Sequence, residues 1–352
     1  MTGIYIASTT ERAGKSLLAF SLGVLLQKRG LAVGYMKPVG RLPQKKDELS
    51  GDADALMVQE VLGQSVQADT LTPVMTPLSM HALTLDEQDN SALERIRDAY
   101  ERIGKDKDIT LVSGTGAFPA AGRFAGVDGL RLVRELNLKV LLVERFKRGI
   151  NYNELLLAKD MLGEALVGLV LNDVPEEEMR DTKTLLVPWL TARGLLVRGV
   201  LAHEPGLTAM RVLDIAHGLE GRIVAGNAQS ARMVTSFLIG TMQVDNFMMH
   251  LGRKPDCAVI VGGDRSDLQL AALHAGSPCI ILTGNIPPSE LIRSRAEKVG
   301  GTLIMVREDT YTVARAMTRI LRSKKIRDLN QVRLGVCLVE AHCNLDTILA
   351  ER

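Results

Sequence analysis

The sequence predicts an α/β protein in which a doubly wound, mostly parallel sheet is followed by a second, smaller α/β domain. Short apolar runs of strand length alternate with longer amphipathic stretches, which is the pattern of a sheet covered by helices on both faces. The alternation pauses near residues 203–206 and then begins again. The length of 352 residues also favours two domains. We expect domains at 1–211 and 212–325, with a C-terminal extension at 326–352.

Apolar runs mark the candidate strands, at residues 3–7, 32–36, 109–112, 140–143, 167–171, 195–201, 222–225, 258–261, 280–282 and 303–306. Leucines recur on one face between residues 18 and 26, and Gly30 is placed to end the helix that they predict. Two further helices are predicted at 267–275 and 310–321. The polar segment 41–50 predicts an exposed loop, and 69–90 predicts an irregular, lid-like stretch.

Composition excludes several classes of partner. Lys and Arg total 43 against 41 Asp and Glu, so a net charge of +2 gives no general attraction to nucleic acid or anionic lipid. Aromatic residues are 3% of the chain, too few for base-stacking platforms. The four cysteines form no CxxC pair, and no apolar run approaches the roughly 18 residues of a membrane span. We expect a cytoplasmic protein with reduced thiols that binds neither nucleic acid nor membrane.

The segment after the first predicted strand carries the strongest motif. Residues 8–16 are Ser-Thr-Thr-Glu-Arg-Ala-Gly-Lys-Ser and lead directly into a predicted helix, an order in which backbone N–H groups converge on phosphate oxygens. Lys15 would reach the β- and γ-phosphates, and Ser16 would join the coordination of Mg²⁺. The full pattern GxxxxGK[ST] is not satisfied, because Thr9 replaces its first glycine. The alternative is an ordinary strand-to-helix turn.

Further motifs follow the loop in order: residues 35–40 (YMKPVG), 52–56 (DADAL), 155–159 (LLLAK) and 168–175 (GLVLNDVP). With Thr10-Glu11 and Gly14-Lys15-Ser16, they resemble the dethiobiotin synthetase-like P-loop domain, in the version found at the N-terminus of long phosphate acetyltransferases. Residues 261–267 (VGGDRSD) and 282–284 (LTG) resemble the DRTGG domain that follows it there. The two matches cover nearly the whole chain. They imply a P-loop NTPase-like fold, with ATP and Mg²⁺ as ligands.

The resemblance also implies roles for individual residues. The nucleotide would contact Thr10, Glu11, Ala13, Gly14, Lys15, Ser16 and, through its base, Asn172. Lys37 would be catalytic, on the substrate side of the phosphates, and Asp54 would join Ser16 on Mg²⁺. Each has a plainer alternative. Lys37 could be a solvated lysine at a strand end, Asp54 an N-cap carboxylate, and Asn172 an ordinary strand-ending residue.

One departure from the family weighs against ligase chemistry. After the strand at 109–112, a dethiobiotin synthetase would present Glu-Gly, with the carboxylate on the metal, whereas this chain has Ser113-Gly114. Serine cannot supply that negative charge, and phosphoryl transfer relies on charge neutralisation by a positioned metal. The second acidic metal contact is therefore missing unless another residue replaces it.

The DRTGG-like region contributes a second candidate site. Asp264, Arg265 and Asp267 lie in a strand-to-helix turn that suits an anionic ligand or a subunit contact, and Ser266 or Asp267 is the expected helix cap. The alternative is an Asp–Arg pair that holds the turn together. Apolar residues at 242–249 make self-association through this domain reasonable.

Two functions remain open from the sequence. The first is an ATP-binding regulatory protein that resembles the non-catalytic N-terminal half of long phosphate acetyltransferase, acts with an acetate or acetyl-CoA enzyme, and does not itself transfer acetyl groups. The second is an ATP- and Mg²⁺-dependent ligase of the dethiobiotin synthetase or cobyrinic acid diamide synthase type. A partition-type ATPase is less favoured, because Thr10 stands where that class carries an additional lysine.

Overall fold

The computed structural model of the chain describes residues 2–41, 43–46, 49–76, 91–149, 152–226, 231–254, 256–323 and 329–350. The chain forms two compact units, Met1–His203 with Arg327–Arg352, and Glu204–Ile326. The C-terminal residues belong to the first unit, where the sequence predicts a separate extension. The domain limits at 211 and 325 stay a prediction.

The first unit is built on a parallel sheet. The strands of this unit are β1 (Thr2–Ala7), β2 (Val33–Met36), β3 (Val39–Gly40), β4 (Pro43–Lys46), β5 (Leu49–Asp52), β6 (Val74–Met75), β7 (Ile109–Ser113), β8 (Lys139–Arg145), β9 (Leu166–Val174) and β10 (Val197–Ala202). Six of them form an all-parallel sheet in the order β10-β9-β8-β1-β7-β2. Every residue of β7 is buried, as expected for a strand covered on both faces.

Helices cover this sheet. They are α1 (Lys15–Lys28), α2 (Ala53–Val61), α3 (Ala68–Leu71), α4 (Ser91–Gly104), α5 (Gly129–Glu135), α6 (Asn153–Leu162), α7 (Glu176–Asp181) and α8 (Val187–Thr191). Short 3₁₀ turns lie at Arg123–Ala125 and Gly163–Ala165, and a π-helical turn at Thr182–Leu186 joins α7 to α8. No helix in the described part of the chain is long and apolar enough to cross a membrane.

The second unit is a smaller α/β fold. Its strands are β11 (Met210–Arg211), β12 (Arg222–Ala225), β13 (Met233–Val234), β14 (Ser236–Ile239), β15 (Cys257–Gly262), β16 (Cys279–Thr283) and β17 (Thr302–Met305). Its helices are α9 (Pro205–Thr208), α10 (Val212–Gly218), α11 (Val244–Leu251), α12 (Ser266–His274), α13 (Glu290–Val299) and α14 (Thr310–Ser323). The main sheet has the order β12-β17-β16-β15-β14, with β12 antiparallel and the others parallel.

The predicted α/β class is confirmed, and each predicted strand coincides with an observed one, with ends shifted by at most three residues. The predicted loop at 41–50 is wrong, because β4 and β5 pair there as antiparallel strands. Residues 43–52 lack the alternation of apolar and polar residues that would indicate a strand. The prediction of an irregular stretch at 69–90 is wrong at its start, where α3 and β6 lie. Residues 77–90 are outside the described part of the chain. The sequence analysis did not predict strands β3, β6, β11, β13 and β14.

Two C-terminal helices, α15 (Leu329–His342) and α16 (Leu345–Leu349), complete the first unit. Helix α15 packs against α1. Gly335 makes this close approach possible, because a Cβ at that position would lie 2.5 Å from Leu17 Cδ1 and 3.0 Å from Phe20 Cζ. The C-terminal segment therefore helps to hold the helix that follows the phosphate loop.

We predict that Gly335→Val lowers the free energy of unfolding by about 1–3 kcal/mol, the usual cost of inserting methyl groups into a packed contact. Urea denaturation of the full chain measures this loss. Gly149→Ala is the control, because nothing lies within 4 Å of a Cβ built there. Equal stability of the two variants would contradict the tight α1–α15 contact.

Candidate functional site

The candidate site lies at the carboxyl edge of the first sheet, where β1 leads through residues 8–14 into α1. Gly14 precedes the helix with φ at 119°. Only glycine fits, because a Cβ at that position would lie 2.4 Å from Asn172 Nδ2. No side chain caps the start of α1, and its first turn contains no acidic residue. The N–H groups of this turn are therefore suited to a bound anion.

Lys15 supplies a cation at the same place. Its Nζ donates hydrogen bonds to Ser8 Oγ and to the carbonyl oxygen of Gly116, both at 2.7 Å. Burial, followed by the positive charge of Lys37, lowers the pKa of Lys15 from 10.5 to about 8. A phosphate beside Lys15 would offset both effects, since an opposite charge favours the ammonium form.

A buried carboxylate of β8, that of Glu144, holds the loop between β1 and α1 in place. Glu144 is fully buried, and its Oε2 accepts hydrogen bonds from the Thr9 backbone N–H at 3.1 Å and from Thr9 Oγ1 at 2.6 Å. Its Oε1 accepts from Thr10 Oγ1 at 2.6 Å, and Lys147 Nζ lies 3.6 Å away. Glu144 therefore fixes the shape of the loop.

Sequence reasoning missed Glu144. It occurs near the end of an apolar run, and a lone carboxylate that ends a buried strand next to the phosphate loop is the signal that could have found it. The sequence predicts that Thr10 contacts the nucleotide, whereas in the structure its hydroxyl donates a hydrogen bond to Glu144. Ser8 stabilises the same loop, because its Oγ donates to the carbonyl oxygen of Thr10 at 2.6 Å.

Lys37 is buried in a charge cluster with Asp52 and Asp54. Its Nζ lies 2.7 Å from Asp52 Oδ1 and 3.3 Å from Asp54 Oδ2. Asp52 is the N-cap of α2 and accepts from the backbone N–H groups of Asp54 and Ala55. The plainer alternatives for two predicted residues are therefore wrong, because Lys37 is not solvated and Asp54 is not the cap.

Several predicted site residues meet around Lys15. Lys37, Glu11, Glu144 and Asp54 all lie close enough to affect its pKa. Ser16, the second residue of α1, is half-buried. The Glu11 carboxylate forms an ion pair with the guanidinium of Arg41, which lowers the pKa of Glu11.

A hydrogen bond between Asn172 and Ala13 also holds the loop in place. Asn172 Nδ2 donates to the carbonyl oxygen of Ala13 at 2.8 Å, and Asn172 is 7% exposed. This bond occupies the amide nitrogen and leaves Asn172 Oδ1 as the group that a base could meet. The contact of Asn172 with a nucleotide base stays a prediction.

Ser113 ends β7 at the same edge and is buried. No group of three or more His, Cys, Asp or Glu side chains that could hold a metal occurs among the described residues. Ser16 and Asp54 offer a hydroxyl and a carboxylate, a donor set that fits Mg²⁺ when phosphate oxygens complete its shell.

In the second unit, the predicted turn residues lie between β15 and α12. Arg265 pairs with Asp267 through two contacts, Nε to Oδ1 at 3.0 Å and Nη2 to Oδ2 at 2.8 Å. Arg265 is the N-cap residue, so the predicted caps Ser266 and Asp267 are wrong, because the Asp267 carboxylate is held by Arg265. Asp264 is exposed. A ligand or interface role for Asp264, Arg265 and Asp267 stays a prediction.

The first unit defines a P-loop NTPase-like protein: a six-stranded parallel sheet with a Gly-Lys-Ser loop at the start of an uncapped helix. Comparison with known families agrees. A model described as an AAA domain matches residues 2–211, and one described as a DRTGG domain matches residues 214–320. The chain belongs to the AAA domain family, in its dethiobiotin synthetase-like form, and carries a DRTGG domain after it. The resemblance drawn from the sequence is confirmed.

Two curated relatives illustrate this membership. The chain is 27% identical to a phosphate acetyltransferase of Pseudomonas aeruginosa, over 95% of this chain and 50% of the relative. It is 31% identical to the ATP-dependent dethiobiotin synthetase BioD of Aquifex aeolicus, over 51% of this chain and 79% of that protein. The chain thus spans about half the length of the phosphate acetyltransferase. A solved structure, the Aquifex aeolicus MinD cell division protein, matches with 16% identity and a TM-score of only 0.36, over 59% of this chain and 84% of that one.

We predict that Glu144→Ala lowers the free energy of unfolding by at least about 2 kcal/mol, since each buried donor left without a partner costs about 1–3 kcal/mol. Glu154→Ala is the matched control, because Glu154 is an exposed carboxylate that also lies beside Lys147. It should change stability by less than about 0.5 kcal/mol. Urea unfolding measures both variants, and equal losses would contradict the role of Glu144 in the loop.

Proposed function

We propose that this chain is an ATP-binding regulatory protein whose phosphate loop, residues 8–16, holds the triphosphate. The observation that carries the proposal is the partly buried Lys15 ammonium beside the uncapped start of α1. Helix N–H groups and an ammonium together form an anion site. The positive charge of Lys37 lowers the pKa of Lys15, and Lys37 itself is paired with Asp52 and Asp54, so Lys15 is the cation that we assign to the phosphates.

Magnesium would accompany the nucleotide. Ser16 and Asp54 would hold it, and the bound ion would neutralise charge on the phosphates. Asp54 would have to leave its 3.3 Å contact with Lys37, which would remain paired with Asp52 at 2.7 Å. The Lys37 ammonium could then turn toward the phosphates without losing its buried counter-ion.

Regulation is favoured over turnover by the residue that ends β7. Ser113 replaces the acidic metal contact of dethiobiotin synthetases, and Glu144, the buried carboxylate nearby, is occupied by Thr9 and Thr10. With Asp54 alone, the site would hold a nucleotide better than it would promote phosphoryl transfer. Similarity to phosphate acetyltransferase over 95% of the chain supports a role beside acetyl chemistry.

A second function, an ATP-dependent ligase, is favoured by a different observation. Lys37 and Asp54 meet in the site, at the positions that match the functional lysine and metal ligand of dethiobiotin synthetases. The 31% identity to such an enzyme supports the same assignment. Lys37 would then be the catalytic residue that faces a carboxylate or carbamate substrate.

The wider context is part of the same proposal. We place the protein in the cytoplasm, because its four cysteines are all free thiols. Its partners would be the nucleotide, an acetate or acetyl-CoA enzyme and, through the DRTGG domain, a second copy of the chain. Co-purification of the chain with an acetate or acetyl-CoA enzyme would test that partnership.

We predict that Lys15→Ala weakens ATP binding by at least about 1.5 kcal/mol, the low end for a hydrogen bond to a charged group. Titration calorimetry with and without Mg²⁺ measures this loss. Lys28→Ala is the control, since Lys28 is the exposed last residue of the same helix, and it should bind ATP as the wild type does. An unchanged affinity in Lys15→Ala would remove the phosphate-loop assignment.

Release of ADP separates the two functions. A regulator should bind ATP–Mg²⁺ with no ADP formed above the level of the Lys15→Ala variant. A ligase should form ADP when a small carboxylic acid is added, and Lys37→Met should abolish that stimulation. The stimulated outcome would overturn the regulatory proposal and support the alternative.

We predict that ATP affinity falls as the pH rises above about 8. Below this pH the free protein already carries the Lys15 ammonium, because its pKa is about 8. Above it, binding requires uptake of a proton, so affinity should decline by up to about tenfold per pH unit. Calorimetry across this range measures the decline. Lys15→Arg keeps its charge, so a decline of equal slope in that variant would contradict the assignment to Lys15.

A further inference from the structure

An ion pair beside the phosphate loop has no part in the proposed function. Arg41 Nη1 lies 2.5 Å from Glu11 Oε1. Glu11 belongs to the loop itself, whereas Arg41 directly follows β3. The pair therefore joins the phosphate loop to a separate segment of the chain, the one that also carries Lys37.

The backbone of Arg41 is fixed beside the charge cluster of Lys37. Its N–H donates to Asp52 Oδ2 at 2.9 Å, while Oδ1 of the same carboxylate accepts from Lys37 Nζ at 2.7 Å. Asp52 is fully buried and caps α2, so it is itself held in place. The Arg41 side chain therefore extends from a defined point, and it is the part of the residue that can change partners.

Gly116 places the guanidinium of Arg41 close to Lys15. A Cβ built on Gly116 would lie 3.2 Å from Arg41 Nη1 and 3.9 Å from Glu11 Oε1. The carbonyl oxygen of the same glycine accepts a hydrogen bond from Lys15 Nζ at 2.7 Å. The two cations, Arg41 and Lys15, are thus neighbours of one small residue.

Of the two members of the ion pair, Arg41 is the one that suits a phosphate. The hydrogen bond from Arg41 lowers the pKa of Glu11, and the positive charges of Arg12 and Lys15 act in the same direction. Glu11 is therefore ionised, and an ionised carboxylate has no proton to donate to a phosphate oxygen. A guanidinium has donors only, in a planar arrangement that matches phosphate.

The ion pair is weak enough to be exchanged. The exposed fractions of the Arg41 and Glu11 side chains are 48% and 57%. A pair this exposed changes an equilibrium by at most about fivefold, whereas a hydrogen bond to a charged group contributes at least about tenfold. Arginine can also direct two parallel N–H groups at one phosphate. Exchange of Glu11 for a phosphate is therefore favourable for Arg41.

We propose that Arg41 binds the terminal phosphate of ATP and leaves Glu11 when it does so. The inference rests on the proposed function, in which the loop holds the triphosphate. Backbone N–H groups of such a loop hold the α- and β-phosphates, and its lysine reaches the γ-phosphate. Arg41 meets Lys15 across Gly116, beside the Nζ end of the lysine, so the phosphate assigned to it is the terminal one. The site then distinguishes ATP from ADP, as a regulatory nucleotide site requires.

Arg41→Gln tests the contact. Titration calorimetry should show ATP–Mg²⁺ binding at least about tenfold weaker than in the wild type, and ADP binding within about twofold, because ADP lacks the terminal phosphate. Arg29→Gln is the matched control, since Arg29 forms an exposed ion pair with Asp346 at the other end of α1. It should bind both nucleotides as the wild type does. Unchanged ATP binding in Arg41→Gln, or equal weakening of ATP and ADP, would overturn the proposal.

Glu11→Gln tests the exchange. Without its carboxylate partner Arg41 is available in advance, so ATP should bind up to about fivefold more tightly. In the Arg41→Gln background the same change should gain less than about twofold, since no ion pair is left to break. Equal gains in the two backgrounds would show that Glu11 acts on the phosphates directly and would contradict the exchange. Thermal melts show that each variant is folded.

Lys15→Ala separates this inference from the function on which it rests. Weaker ATP binding in Lys15→Ala together with wild-type binding in Arg41→Gln would overturn the role of Arg41 and leave the phosphate loop assigned. Wild-type binding in both variants would overturn both proposals. Weaker ATP binding in both, with ADP binding changed only in Lys15→Ala, is the result that we expect.

Discussion

The structure depends on how neighbouring strands hold the loop between β1 and α1. A loop of this kind cannot bury its own donors, so its shape has to be fixed by neighbouring strands. Glu144 of β8 and Asn172 of β9 do this from one side, and Lys15 joins the loop to Gly116 beyond β7. These contacts fix the loop in advance, so a bound phosphate does not have to order it.

The charges at this edge fall into two groups. The first is satisfied within the protein, with Asp52 bound to Lys37 and to the start of α2. The second, Lys15 with the first turn of α1, is where we propose that an anion binds, and burial lowers the pKa of Lys15 to about 8. Asp54 contacts Lys37 and affects the pKa of Lys15, so it is linked to both groups and is the carboxylate that we propose for Mg²⁺.

The fold and the centre of the site could be predicted because their signals are local. Gly14, Lys15 and Ser16 follow a strand and open a helix within one short segment, and central strands are continuous apolar runs. Glu144 was missed, since it contacts the loop across 134 to 135 residues of sequence, and its place near the end of an apolar run was the one local signal. Strands β4 and β5 lack the apolar alternation that would indicate strands in the sequence. The packing of α15 against α1 requires a glycine at position 335, and only the three-dimensional contacts show that a side chain would not fit there.

The most direct test of the central claim is a crystal structure of the protein with a non-hydrolysable ATP analogue and Mg²⁺. The account predicts phosphate oxygens about 3 Å from the backbone nitrogens at the start of α1 and from Lys15 Nζ, with Glu144 still bound to Thr9 and Thr10. A structure in which Lys15 keeps Ser8 and Gly116 as its sole partners, while the analogue lies elsewhere or is absent at saturating concentration, would contradict it.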